Sequence, residues 1–247
     1  MTTSQLPLAD KRALVLGAGS AAGRTIAVAL ATAGADVAVA TASLDGDEVM
    51  AARRTRRAVE AAGRRSTEYA FDVTLGQNVQ VSTRQVAKWL GGLDILVWAV
   101  STPLARPADK ITDAEWSRAL AINLSGAFFA CRAALREMLA DAWGRIILVT
   151  GQPGSADTTD SAAVLTARFG LFGLASALAG EYGTRGIQAY VVNLAPPHQE
   201  STPAGSDHEG APVDLADLAV FLATDAPARL NGSVLPAVVS GAPHQGG

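Results

Sequence analysis

Reactive side chains are scarce in this 247-residue chain, which holds one cysteine, three histidines and three tyrosines. The lone Cys131 excludes a disulfide framework and any cysteine-rich metal site. It sits in the apolar run Phe128-Phe129-Ala130-Cys131, the setting of a packed core thiol rather than a nucleophile, and it suits a reducing compartment. Charge of one sign is lacking too: 20 Lys and Arg against 23 Asp and Glu leave a net charge of −3 and no basic field for nucleic acid. Long uncharged apolar runs are missing, since the Ala-rich stretch from Thr25 to Leu44 is broken by Asp36, and Met1 to Asp10 lacks a basic flank followed by an apolar run. These absences predict a cytoplasmic protein with no nucleic-acid and no membrane partner. What remains is 49% hydrophobic and 17% charged residues, the make-up of one domain with a sizeable core.

Short β-type runs alternate with longer helical patterns throughout, which predicts an α/β fold: a three-layer, doubly wound parallel sheet in a single domain spanning 1–247. Strands are expected at 12–16, 36–41, 66–71, 93–99, 145–150, 188–193 and 233–238. Helices are expected near 20–33, 46–62, 75–90, 113–140, 160–182 and 214–224, with Asp113 and Asp214 as N-caps. The segment 195–212, rich in Pro, Gly, Ser and Thr, reads as a mobile loop over the carboxyl edge of the sheet. Trp89, Trp116 and Trp143 lie at expected helix ends, where packing caps are the ordinary use. Ligands of such folds bind beyond the carboxyl ends of the strands, where strand order reverses.

After the first strand comes Leu16-Gly17-Ala18-Gly19-Ser20-Ala21-Ala22-Gly23, opening a helix. Glycines there permit a tight turn and a close approach of pyrophosphate to free helix amides; they also simply let helix and strand pack.

With further ordered points the chain resembles the short-chain dehydrogenase/reductase family. These are Gly34-Ala35-Asp36-Val37, Asp72-Val73, Leu93-Asp94-Ile95-Leu96-Val97, Asn123-Leu124-Ser125-Gly126, Gly144-Arg145-Ile146-Ile147, Val192-Asn193 before Pro197, and Phe221-Leu222-Ala223-Thr224-Asp225. The resemblance implies a Rossmann-type domain that binds NAD(H) or NADP(H) through Gly17, Gly19, Ser20, Ala21, Gly23, Asp72, Val73 and Ala99, and that forms a dimer or tetramer. It also implies a helix-to-helix subunit contact through 113–140 and 160–182, where Gly170, Gly173, Ala175 and Ala177 would allow close approach.

The family's active site uses Ser, Tyr, Lys and Asn: Tyr as general acid or base, Ser to orient the carbonyl, Lys to hold the ribose, and Asn in the proton relay. In the ungapped register from Gly144 to Gly173 those catalytic positions fall on Gly151, Val164 and Arg168, with only Asn123 retained. No frame shift restores the set, because no Tyr lies between Tyr69 and Tyr182 and no Lys follows Lys110. Nearby hydroxyls at Ser155, Thr158, Thr159, Ser161 and Thr166 are far weaker acids than a phenol. Arg168 suits an anion or a neighbouring carboxylate such as Asp157 or Asp160. Halohydrin dehalogenases also carry Arg there, but they keep Ser and Tyr.

Leu16 and Ala21 add bulk where the family's backbone meets the dinucleotide, Trp98-Ala99-Val100-Ser101 replaces an Asn-Asn-Ala-Gly stretch with Trp98 the largest change, and Pro197-His198 replaces a Pro-Gly pair, so binding is expected to be weakened or lost. If a dinucleotide binds, Thr41-Ala42-Ser43 offers no carboxylate for a ribose diol, which favours NADP(H). The Arg pairs at 53–54 and 56–57 read as a solvated helix face. The leading expectation is a non-catalytic subunit of an oxidoreductase hetero-oligomer with a family homologue, or a homo-oligomer. The alternatives are an NADP(H)-dependent carbonyl reductase that draws its proton from water, Asn123, His198 or His208, and a non-redox, metal-free anion-binding enzyme built on Arg168.

Overall fold

The structure is a computed structural model that describes residues 6–151, 161–194 and 213–239. Eight strands form: β1 (Arg12–Leu16), β2 (Asp36–Ala40), β3 (Ser66–Tyr69), β4 (Ile95–Trp98), β5 (Gly144–Thr150), β6 (Ile187–Leu194), β7 (Val213–Asp214) and β8 (Val234–Val238). All but the two-residue β7 lie within two residues of the expected runs. They make one parallel sheet in the order β3-β2-β1-β4-β5-β6-β8-β7, reversing direction of growth between β1 and β4. The α/β doubly wound prediction therefore holds.

The helices are α1 (Ala21–Thr32), α2 (Gly46–Ala61), α3 (Gly76–Leu90), α4 (Asp113–Leu120), α5 (Gly126–Met138), α6 (Ala162–Tyr182) and α7 (Leu215–Ala223). Alternate residues of each strand point to opposite faces. Val15, Val39, Val97 and Val149 pack under α1, α2 and α7, while Leu16, Leu96, Trp98 and Leu148 pack under α3, α5 and α6. α6 is long and apolar enough to suit a bilayer by composition alone, yet Ala163, Val164, Ala167, Leu171, Ala175 and Leu178 bury one side of it against β5, β6 and their neighbours.

Three local expectations need correction. The helix expected over 113–140 is broken into α4 and α5 by a π-type turn at Ala121–Ser125, which an apolar periodicity continuous across one inserted residue does not reveal. Asp113 is not the N-cap. Thr112 is, because its hydroxyl accepts from Glu115 N at 3.2 Å while the Glu115 carboxylate accepts from Thr112 N at 2.9 Å, a reciprocal box. Gly170 serves packing within the chain, since a Cβ there would lie 2.7 Å from the Leu124 side chain. Asp214 caps α7 as expected, accepting from Ala216 N at 2.8 Å.

At the amino edge, β1 is tied to β4 by Arg12, whose Nε donates to Asp94 Oδ2 at 2.6 Å and whose backbone N donates to the same oxygen at 2.8 Å. The hydrogen bond to Asp94 raises the Arg12 guanidinium above its ordinary value. Beyond the opposite edge, Trp98 is fully buried, its ring where a side chain at Gly126 would fall, and its Nε1 has no hydrogen-bond partner among the described residues. Trp98→Ala is expected to cost about 3–5 kcal/mol in urea unfolding. Trp98→Phe, which removes the orphaned donor while keeping most of the ring, should cost far less.

Candidate functional site

The strand reversal leaves a cleft of about 500 Å³ at the carboxyl edge, walled by the turn after β1, the ends of β2, β4, β5 and β6, and the first turns of α2. Gly17 shapes its floor. With φ of +76°, Gly17 N and Ala18 N donate to Ala40 O, and a Cβ at Gly17 would sit 2.4 Å from Ala99 O. Only glycine accommodates both the left-handed backbone and that approach. Ser20 then caps α1: its hydroxyl accepts from Gly23 N at 3.0 Å and donates to Gly17 O at 2.8 Å. The first-turn amides of Ala21 and Ala22, which have no partner one turn back in the helix, border the cleft together with Gly19. This donor set fits a pyrophosphate.

Of the three bulky positions, two do not intrude. Leu16 and Trp98 point into the core on the α3 and α5 side of the sheet, because residues at strand positions of that parity face away from the cleft; only the methyl of Ala21 lines it. Ala99, Val100 and Ser101, next to Trp98, do line the cleft, so the expectation of weakened binding loses only the part that rested on Leu16 and Trp98. Gly17, Gly19, Ser20, Ala21 and Ala99 do line the cleft, whereas Gly23, Asp72 and Val73 do not. Gly23 packs α1 onto the turn, Val73 is core, and the Asp72 carboxylate accepts from Thr74 N and Oγ1 in the turn between β3 and α3.

Sequence reasoning missed the α2 side of the cleft. Glu48 Oε2 accepts from both Ala42 N and Ser43 N at 3.1 Å, placing a carboxylate at the end of β2 after all. Asp47 and Arg54 line the same wall. Thr55 Oγ1 donates to Ala18 O at 2.7 Å and fastens α2 to the glycine turn. Arg53 and Arg56 are not free surface charges, since both bind Glu68 on β3 and hold its carboxyl below the ordinary range, Arg53 most strongly. Glu48 lies eight residues beyond the end of β2 at Ala40, where no spacing rule looks.

Asn123 is buried on the π turn, accepting from Thr102 N at 2.7 Å and donating to Thr102 O at 3.1 Å. It thus fixes the segment after β4, whose residues Ala99 to Thr102 wall the cleft. Gly151 also lines it, with φ of +87° and space for no side chain: a Cβ would meet Leu194 O at 2.5 Å. Val164 is buried on α6 and Arg168 is half-buried one turn on; neither lines the cleft among the described residues. Burial pushes the Cys131 thiol up to about 12, so it stays protonated and inert. Ser155, Asp157, Thr158, Thr159, Asp160, Pro197, His198, His208 and the loop 195–212 lie outside the described residues.

Gly17→Ala is expected to cost about 1–3 kcal/mol of stability from the left-handed strain alone, more with the Ala99 clash, and to abolish nucleotide-induced thermal stabilisation. Melting equal to that of the parent chain, both without and with nucleotide, would contradict this geometry.

A family profile described as short chain dehydrogenase matches residues 11–207. D-threitol dehydrogenase of Mycolicibacterium smegmatis is 33% identical over 247 aligned residues, covering 92% of this chain and 91% of that protein. A dehydrogenase/reductase from Sinorhizobium meliloti 1021 superposes with a TM-score of 0.78 at 27% identity, covering 95% of this chain and 96% of that one. Carveol dehydrogenase from Mycobacterium avium, solved in complex with NAD, shares the fold with a TM-score of 0.77 at 22% identity, over 94% and 97% of the two chains. With that profile match over most of its length and a relative 33% identical, this chain belongs to the short-chain dehydrogenase family of oxidoreductases.

Proposed function

We propose that the chain binds a nicotinamide dinucleotide in this cleft but transfers protons poorly, and that it works in the cytoplasm as the non-catalytic subunit of an oligomer with a second chain of its own fold. The observation that carries the reading is the state of the proton-transfer positions. Gly151 has no room for a hydroxyl-bearing side chain, and Val164 presents a buried alkyl group where a phenol would be needed. Among the described residues, the side chains on the cleft wall between β4 and β6 are the alcohols of Ser101 and Thr102 and apolar groups. An alcohol donates a proton far less readily than a phenol with pKa near 10.

A bound nicotinamide would supply hydride donation or acceptance. This chain's part would be to hold the pyrophosphate on the α1 amides, with Asn123 keeping the Ala99–Thr102 wall in place. No described residue on that wall then delivers the proton that a carbonyl oxygen must gain as hydride arrives.

In this reading α6 supplies the assembly surface. Its outward side, Leu165, Phe169, Gly173 and Ala177 at helical spacing, is exposed and almost wholly apolar, with Phe169 64% and Leu165 37% exposed. Phe128 on α5 is 43% exposed. Exposed apolar stripes of this kind mark an interface, and the small residues let another helix come close.

Nucleotide at a hundredfold its Kd should stabilise the chain by about 2.7 kcal/mol. Turnover of alcohols or ketones by the isolated chain should lie at least 100-fold below the common 1–10³ s⁻¹ range. No thermal shift with NAD(H) or NADP(H), or turnover within that range, would overturn the reading. Phe169→Glu should convert the oligomer to monomer in light scattering, with the fold retained by circular dichroism; a monomeric parent chain would sink the assembly part.

A further inference from the structure

The α2 wall bears on which dinucleotide fits. Two backbone amides converging at the end of a strand form an anion site. Here Ala42 N and Ser43 N do converge, and the chain occupies them with its own Glu48 Oε2. Local structure holds Glu48 in that position, as the third residue of α2, whose N-cap Asp45 accepts from Asp47 N and Glu48 N at 2.9 and 3.2 Å. The usual reach of such a residue is back to the N-cap amide. That amide is taken instead by Ser43 Oγ at 3.2 Å, which leaves Glu48 to clamp the β2 loop.

In a doubly wound fold the end of β2 receives the adenosine ribose once the pyrophosphate lies on the first helix. A 2′-phosphate there would find the two amides already satisfied and the carboxylates of Asp47 and Glu48 on the cleft wall, against the single guanidinium of Arg54 among the described lining residues. Arg53 and Arg56 cannot be recruited without breaking their pairs with Glu68. A free 2′-hydroxyl meets the opposite situation. A carboxylate accepts about four hydrogen bonds and Glu48 uses two on backbone, so it can take a hydroxyl as well.

Resting on the reading that the cleft binds a nicotinamide dinucleotide, we infer that Glu48 is a specificity-determining residue that selects the free ribose diol of NAD(H) over the 2′-phosphate of NADP(H). The choice is the reverse of the one expected from Thr41-Ala42-Ser43 alone.

Direct binding of NADH and NADPH by isothermal calorimetry tests this without any turnover. The parent chain should bind NADH at least tenfold more tightly than NADPH. Glu48→Gln should shrink that ratio about tenfold or more, chiefly through tighter NADPH binding, and Arg54→Ala, which leaves the loop clamp untouched, should widen it. Equal or tighter NADPH binding by the parent, a ratio unchanged in Glu48→Gln, or a ratio narrowed in Arg54→Ala would each overturn the inference while leaving dinucleotide binding intact. Binding of neither nucleotide would instead overturn the functional reading on which it rests.

Discussion

The approach of the β1–α1 turn to the end of β4 governs everything at the carboxyl edge of this protein. Gly17 lies against the Ala99 carbonyl at a distance that admits no side chain, and its amide is engaged by Ala40 of β2. Three strand ends are thereby drawn together at the point where the sheet reverses. The α1 amides, the β2 loop and the Ala99–Thr102 wall meet around one cleft because this contact is tight. Loosening it would separate them.

Around that contact the structure distributes its polar groups unevenly. On the α2 side, side chains hold backbone: Glu48 clamps the loop after β2, and Thr55 ties α2 to the glycine turn. On the β4 side, Asn123 does the same for Thr102. Backbone groups satisfied in this way hold the loops around the cleft in one geometry. These contacts shape the cleft, while Gly151 and Val164 stand at the positions where the family resemblance places proton chemistry. The proposed non-catalytic role rests on that contrast.

The bulky residues near the turn illustrate how far a linear reading reaches. Leu16 and Trp98 look obstructive beside the glycines, yet strand parity turns both into the core beneath α3 and α5. The same parity was available from the alternation along β4, since Ile95 and Val97 face the other layer. Glu48 is the converse case. It stands outside the strand-end window, and only the entry of α2 brings its carboxylate back to the amides of Ala42 and Ser43. Likewise the π turn that seats Asn123 leaves no trace in the apolar pattern, because one extra residue in a helix does not interrupt a broad buried face.

Taken alone, the sequence determined the sheet, its order of elements, the glycine turn and the residue types, Gly151, Val164 and Arg168, that stand where the family resemblance places its catalytic residues. Those features are written in local periodicity, in residue type and in counting, none of which needs the third dimension. Tertiary structure decided which way Trp98 points, that Asn123 binds backbone on both sides of its amide, and that Glu48 rather than a strand-end residue sets the charge at the far end of the cleft. Each of these depends on a contact between segments distant in the chain or on a helix's entry angle, and the free energy of such contacts is settled only when the layers have packed.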